Sequence, residues 1–135
     1  MSNSNVDFSS PNFNHIGTEL QIKTRIKPEP NQPVDGAILD IVGDLNLYST
    51  PALKQILGNL VDAGKIKIFV NTENLNYIDS SGLGAFLAIQ SKLMKMSGFI
   101  KLCCPTKQVL AVLELTKLKS MLKVNSNLAD ALKGS

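Results

Sequence analysis

The chain has 135 residues, 44% of them hydrophobic and 19% charged, with a formal net charge of +3 and a pI near 8.9. That length and balance suit one globular domain with a real core, and they exclude two full-sized domains or a wholly disordered chain. No apolar run approaches the roughly 18 residues needed to cross a bilayer, and the opening MSNSNVDFSS lacks the parts of a signal peptide, so a cytoplasmic protein is expected.

Residues 1–16 are rich in Asn and Ser and are expected to form a flexible tail ahead of a domain spanning 17–135. From Thr18, TELQIKTRI alternates Leu20, Ile22, Thr24 and Ile26 with polar residues, the pattern of a half-buried strand. KPEPNQPVDG ends it as a loop, and AILDIVG is a second strand able to pair with the first as a hairpin. Over LNLYSTPALKQILGNLVDAG the period changes to 3.6. Thr50 is the expected N-cap, with Pro51 in the first helical position. Leu53, Ile56, Leu57, Leu60 and Val61 share a face, and Gly64 stops the helix.

KIKIFVN is a short strand with apolar Ile66, Ile68 and Val70. A helix from about Ser81 carries Leu83, Phe86, Leu87, Leu93 and Met94 on one face until Gly98. FIKLCC is another strand, and PTKQVLAVLELTKL a third amphipathic helix aligning Val109, Val112, Leu113 and Thr116. MLKV and SNLADALK supply a last short strand and helix. Strands alternating with helices at this spacing require right-handed crossovers and a mainly parallel α/β sheet, preceded by the hairpin.

Charge is unevenly spread. Residues 1–90 carry six basic and nine acidic side chains, whereas residues 91–135 carry eight basic and two acidic. The late lysines are scattered, with no arginine and no interleaved aromatics, and read as solvated helix faces rather than a nucleic-acid footprint. Cys103 and Cys104 are adjacent, so a disulfide between them would be strained, and they read as reduced packing residues. The single histidine, His15, leaves no metal site and no base for a Ser-His-Asp triad.

The stretch NLNYIDSSGLGAFL, residues 74–87, carries the functional question. Read structurally, Ser80 or Ser81 caps the helix, Asp79 complements its positive end, and Gly82 and Gly84 allow close packing of its first turn. A nucleophile elbow needs glycine where Ile78 and Asp79 stand. Gly82-x-Gly84 lacks the third glycine of a dinucleotide fingerprint, and no phosphate loop occurs. Catalysis and a bound cofactor are therefore not expected. A serine at a helix N-terminus can instead be a substrate: phosphate fits the helix N–H groups and adds about −1.5 to −2 charge to a surface.

YIDSSGLGAFL closely resembles the signature of STAS domains, especially bacterial anti-sigma factor antagonists. DIVGDLNLYSTPALKQIL resembles that family's second strand and first helix, and SGFIKLCCPTKQVLAVLELTKLKSMLKV its later strand, helix and strand. The likeness runs from about residue 18 to 132. It implies a mixed, largely parallel sheet of four to five strands, with helices packed on one face and an N-terminal hairpin.

It also implies partner switching. The unmodified antagonist binds an anti-sigma factor that is also a serine kinase, freeing the sigma factor. The kinase uses ATP to phosphorylate the serine after the motif aspartate, the complex dissociates, and a serine phosphatase resets it. That serine is Ser80, with Ser81 as the helix-starting neighbour; Asp79, Gly82, Leu83 and Gly84 complete the motif. Asn71 matches the asparagine at the end of the preceding strand.

Asn46 stands where the family often has a partner-binding acid; either Asp44, two positions earlier, compensates or the cognate kinase differs. The resemblance implies no cofactor and no direct nucleic-acid contact, in a monomer or weak dimer. The alternative within the family is a non-catalytic docking subunit of a lipid-transport or stress-sensing complex.

Overall fold

The computed structural model describes residues 6–26 and 29–133. Residues 1–5 of the expected tail, Lys27 and Pro28 of the expected loop, and residues 134–135 lie outside them. Six strands form one sheet in chain order: β1 (His15–Ile16), β2 (Leu20–Arg25), β3 (Gly36–Leu45), β4 (Lys67–Ile78), β5 (Phe99–Cys103) and β6 (Val124–Asn125). The first three are antiparallel neighbours and the last four pair in parallel. The helices are α1 (Thr50–Asp62), α2 (Ser80–Met94), α3 (Lys107–Leu115) and α4 (Leu128–Lys133). The hairpin and the largely parallel sheet match expectation. The last strand, expected at MLKV, stands at Val124–Asn125, and the two-residue β1, too short to carry a periodic signal, raises the strand number above four to five.

Strand order explains the layers. Right-handed crossovers between strands that step steadily one way across a sheet all pass over the same face. Accordingly α1, α2 and α3, through residues such as Leu53, Phe86 and Val109, pack with Leu39, Val70 and Leu102 in one main core. No crossover constrains α4. It covers the opposite face, where Ala131 and Leu132 meet Ile38, Phe69 and Cys103. The expectation of helices on one face is thus corrected for α4.

Residues 6–16 do not extend away as a tail. Phe13 is buried in the main core and β1 pairs with β2. Asn14 ties the segment down, its amide donating to the carbonyls of Phe8 and Ser10 while its oxygen accepts from the N–H of Thr24. The polar composition hid one aromatic anchor.

The α1 helix buries Leu53, Ile56, Leu57, Leu60 and Val61, as its period requires. Its N-cap position is Ser49 rather than Thr50, and the Ser49 hydroxyl donates to the carbonyl of Asp44 at 2.7 Å instead of capping. The end is a Schellman motif: Gly64 adopts φ 84°, Lys65 N–H donates to Leu60 O, and Gly64 N–H to Val61 O.

β4 departs furthest from expectation. It continues past Val70 to Ile78 with Thr72, Leu75 and Ile78 buried, a spacing of three that no regular strand shows. The register with β3 explains it. Asp40 and Val42 pair with Asn71 and Asn74, then Gly43 and Asp44 pair with Leu75 and Tyr77, so β4 carries an extra residue at two places. Each bulge resets the alternation by one. The second delivers Ile78 to the core and turns Asp79 into the start of α2.

Candidate functional site

The carboxyl end of β4 feeds directly into α2, at the edge where open α/β sheets carry working loops. Asp79 has extended backbone angles (φ −112°, ψ −172°), the geometry of an N-cap. Its Oδ1 accepts from Ser81 N–H at 2.9 Å, from Gly82 N–H at 3.4 Å and from the Ser81 hydroxyl at 2.5 Å. The cap is therefore Asp79 and neither serine. The Ser81 hydroxyl bond, followed by backbone N–H groups including that of Leu47, holds the Asp79 carboxyl below its ordinary range against the opposing effect of burial.

The two serines are thereby distinguished. Ser81 is half-buried, and its hydroxyl also lies 3.3 Å from Thr50 Oγ1. Ser80 is exposed, and its hydroxyl makes no hydrogen bond to another described residue. Behind them Gly82 is buried; a Cβ there would meet Ile78 Cγ1 at 2.9 Å and Leu45 Cβ at 3.1 Å. Leu83 is a core residue. Gly84 behaves differently: it is exposed, and a Cβ there would have nothing within 4 Å. The expectation that both glycines allow close packing holds for Gly82 and fails for Gly84.

Asn46 lies in the neighbouring β3–α1 loop, and its polar atoms serve that loop. Its Oδ1 accepts from the N–H groups of Tyr48 and Ser49, and its Nδ2 donates to Glu19 Oε1 at 3.2 Å. The backbone N–H of Asp44 donates to Glu19 O at 2.8 Å, so Glu19, Asp44 and Asn46 form one polar corner. Asn71 is not brought to the site. Because β4 runs on to Ile78, Asn71 sits mid-strand, well before the strand end that leads into Asp79. It joins the network of Arg25 and Asp40 instead: its Nδ2 donates to Asp40 Oδ1 at 3.0 Å, and Arg25 Nε to Asp40 Oδ2 at 2.6 Å.

Three residues around the site escaped sequence reasoning. Leu47, Tyr48 and Tyr77 are exposed by 67%, 82% and 50%, beside Asn46 and Asp79 in the chain. The signal was available: Leu47 and Tyr48 precede the N-cap and belong to no apolar face. Among the described residues, no group of three or more His, Cys, Asp or Glu is placed to hold a metal, and no helix is long and apolar enough to cross a membrane.

The model of the STAS domain matches residues 23–131, and the chain belongs to that family. Among curated proteins it is 31% identical over 83 residues to an anti-sigma-B factor antagonist of Staphylococcus aureus (strain NCTC 8325 / PS 47), covering 62% of this chain and 77% of that protein. It is 26% identical over 88 residues to the anti-sigma-B factor antagonist of Bacillus subtilis (strain 168), covering 65% and 80%. Among solved structures, the fold matches the Bacillus cell-fate determinant SpoIIAA in its phosphorylated form. The TM-score is 0.63 at 18% identity, over 83% of this chain and 96% of that one.

Proposed function

We propose that this chain is an anti-sigma factor antagonist that works by binding rather than catalysis, and that Ser80 is its switch. In the unmodified state the surface around Ser80 engages an anti-sigma factor with serine kinase activity. That kinase transfers the γ-phosphoryl group of ATP to Ser80 Oγ: an O–P bond forms, the β–γ anhydride bond breaks, ADP leaves and the hydroxyl proton is lost. A serine phosphatase reverses the mark by hydrolysis.

The observation that carries this reading is the contrast between the two hydroxyls. Ser80 is exposed and unengaged at the first position of α2, whereas Ser81 is held by Asp79 and Thr50. Phosphate on Ser80 would add about −1.5 to −2 charge next to a carboxylate, without entering the core. Its repulsion and desolvation across an interface amount to several kcal/mol, which is orders of magnitude in affinity. Leu47, Tyr48 and Tyr77 supply the apolar area a partner would cover, and bare Gly84, one turn after Ser80, lets it approach. Where the family often carries an acid, Asn46 holds the carboxylate of Glu19.

The test incubates the chain with its co-purifying kinase and ATP and localises phosphate by mass spectrometry. Phosphate is expected on Ser80 in the parent chain and in Ser81→Ala, and on neither serine in Ser80→Ala. Ser80→Ala should keep partner binding in calorimetry and Ser80→Asp should weaken it by at least about tenfold. Phosphate confined to Ser81, or equal affinity for Ser80→Asp and the parent chain, rejects the switch. Co-purification with a transport complex and no kinase favours the docking-subunit role.

A further inference from the structure

Sequence spacing makes the lysines after α3 look scattered, but the fold gathers three of them around one concavity. Lys117, Lys119 and Lys123 line a cleft of about 610 Å³ together with Glu114. Through Ser120 and Lys123 it continues into a second cleft of about 410 Å³, walled by Leu87, Gln90 and Met94 of α2 and by Met121. The second cleft is braced from beneath by Gln90, which is buried. Its Nε2 donates to Met121 O at 3.1 Å and its Oε1 accepts from Ile100 N–H at 2.8 Å.

Two properties define what would fill it. Its rim is net positive, three lysines against the one carboxylate of Glu114, and among the described residues no carboxylate forms an ion pair with Lys117, Lys119 or Lys123. Its trough is apolar and adaptable. Met94 and Met121 are exposed by 61% and 57%, and methionine walls repack around an incoming side chain. A shallow apolar groove edged by lysines on one side suits the side chains on one face of an amphipathic helix.

The lysines are also placed against backbone preference. Lys117 and Lys123 have φ of 60° and 51°, a conformation glycine adopts without strain and lysine does not. Lys117 occupies the glycine position of the Schellman motif that ends α3, where Leu118 N–H donates to Leu113 O at 3.0 Å.

We propose that this composite cleft is a second docking site, separate from the Ser80 surface, for an acidic amphipathic helix of a partner protein. The helix lays its apolar side chains against Leu87, Met94 and Met121 and its carboxylates against Lys117, Lys119 and Lys123. Ser80 and Met94 stand at opposite ends of α2, about 21 Å apart along its axis, so both surfaces can be occupied together.

The test titrates isotope-labelled full chain with a synthetic helical peptide of about 15 residues, leucine at every third or fourth position and glutamate between. A matched peptide with lysine for glutamate and phosphatidylserine-containing vesicles serve as the other arms. Amide shifts are expected at Leu87, Met94, Lys119, Met121 and Lys123, with Ser80 and Leu47 unmoved. The response should weaken with added salt and fall about tenfold in Lys119→Glu/Lys123→Glu. Lys117→Gly separates binding from folding: it should weaken peptide binding while the melting temperature stays level or rises. No shifts up to about 1 mM peptide, shifts elsewhere, an equal response to the basic peptide or stronger capture by vesicles overturns the proposal.

Discussion

Ser80 and Ser81 differ by one position in the chain and by everything their hydroxyls touch. That difference traces to Asp79, whose extended backbone and depressed carboxyl pKa make it the cap. Because the folded pKa lies below the unfolded value of 3.8, the cap's contribution is fully present above that value. It is lost as pH falls through the folded pKa. Asp79→Asn should therefore flatten the acid limb of a melting-temperature profile below about pH 4 while leaving the neutral plateau little changed. A variant whose acid limb matches the parent's would place the titration elsewhere. The cluster Asp79-Ser80-Ser81 was visible in the sequence, but its division of labour was not. Aspartate and serine are both good caps, and only the point where β4 stops decides which one takes the position.

At the scale of elements, helices were more legible than strands. The apolar face of α1 and its Gly64 stop follow from period and glycine chemistry alone, and both stand in the structure. The far half of β4 was hidden, since two bulges convert a period of two into a spacing of three across Thr72, Leu75 and Ile78. The end of α2 shows a similar displacement of roles. Ser97, not Gly98, takes the left-handed angle (φ 61°). Gly98 is required because a Cβ there would sit 2.1 Å from Ile66 O.

The α2 glycines give opposite expectations. Gly82→Ala should cost about 1–3 kcal/mol by forcing Ile78 and Leu45 apart. Gly84→Ala should gain about 0.5–1 kcal/mol from helix propensity. Urea unfolding of the two single variants measures both, and a destabilised Gly84→Ala would contradict the open geometry seen at that position.

For the whole molecule, the α/β class and the hairpin were legible because alternating periods and right-handed crossovers leave few topologies. The place of α4 was not, because no crossover rule reaches a helix that follows the last strand. Its cover makes Cys103 a core residue: burial, then the neighbouring Cys104, pushes that thiol up to about 12. Cys104 is half-buried and shifted upward too, first by burial and then by Glu73.

Alkylation of the native chain at about pH 8 should therefore label Cys104 slowly and Cys103 only on unfolding. Since the Cys103 value is raised from 9.0 in the unfolded state, its contribution to stability is lost as pH rises from 9.0 towards about 12. Rapid native labelling of Cys103, read by peptide mapping, would mean that α4 does not stay seated.

The strand order β1 through β6 has a consequence for how the molecule is made. Every strand after the first pairs with the one synthesised just before it. A chain emerging from the ribosome can therefore extend its sheet in the order of translation, and no early edge waits for a late partner. Each parallel pairing still closes over a whole crossover, Gly36 meeting Lys67 and Lys67 meeting Phe99, so the pace of every such step is set by the helix that must fold between the two strands.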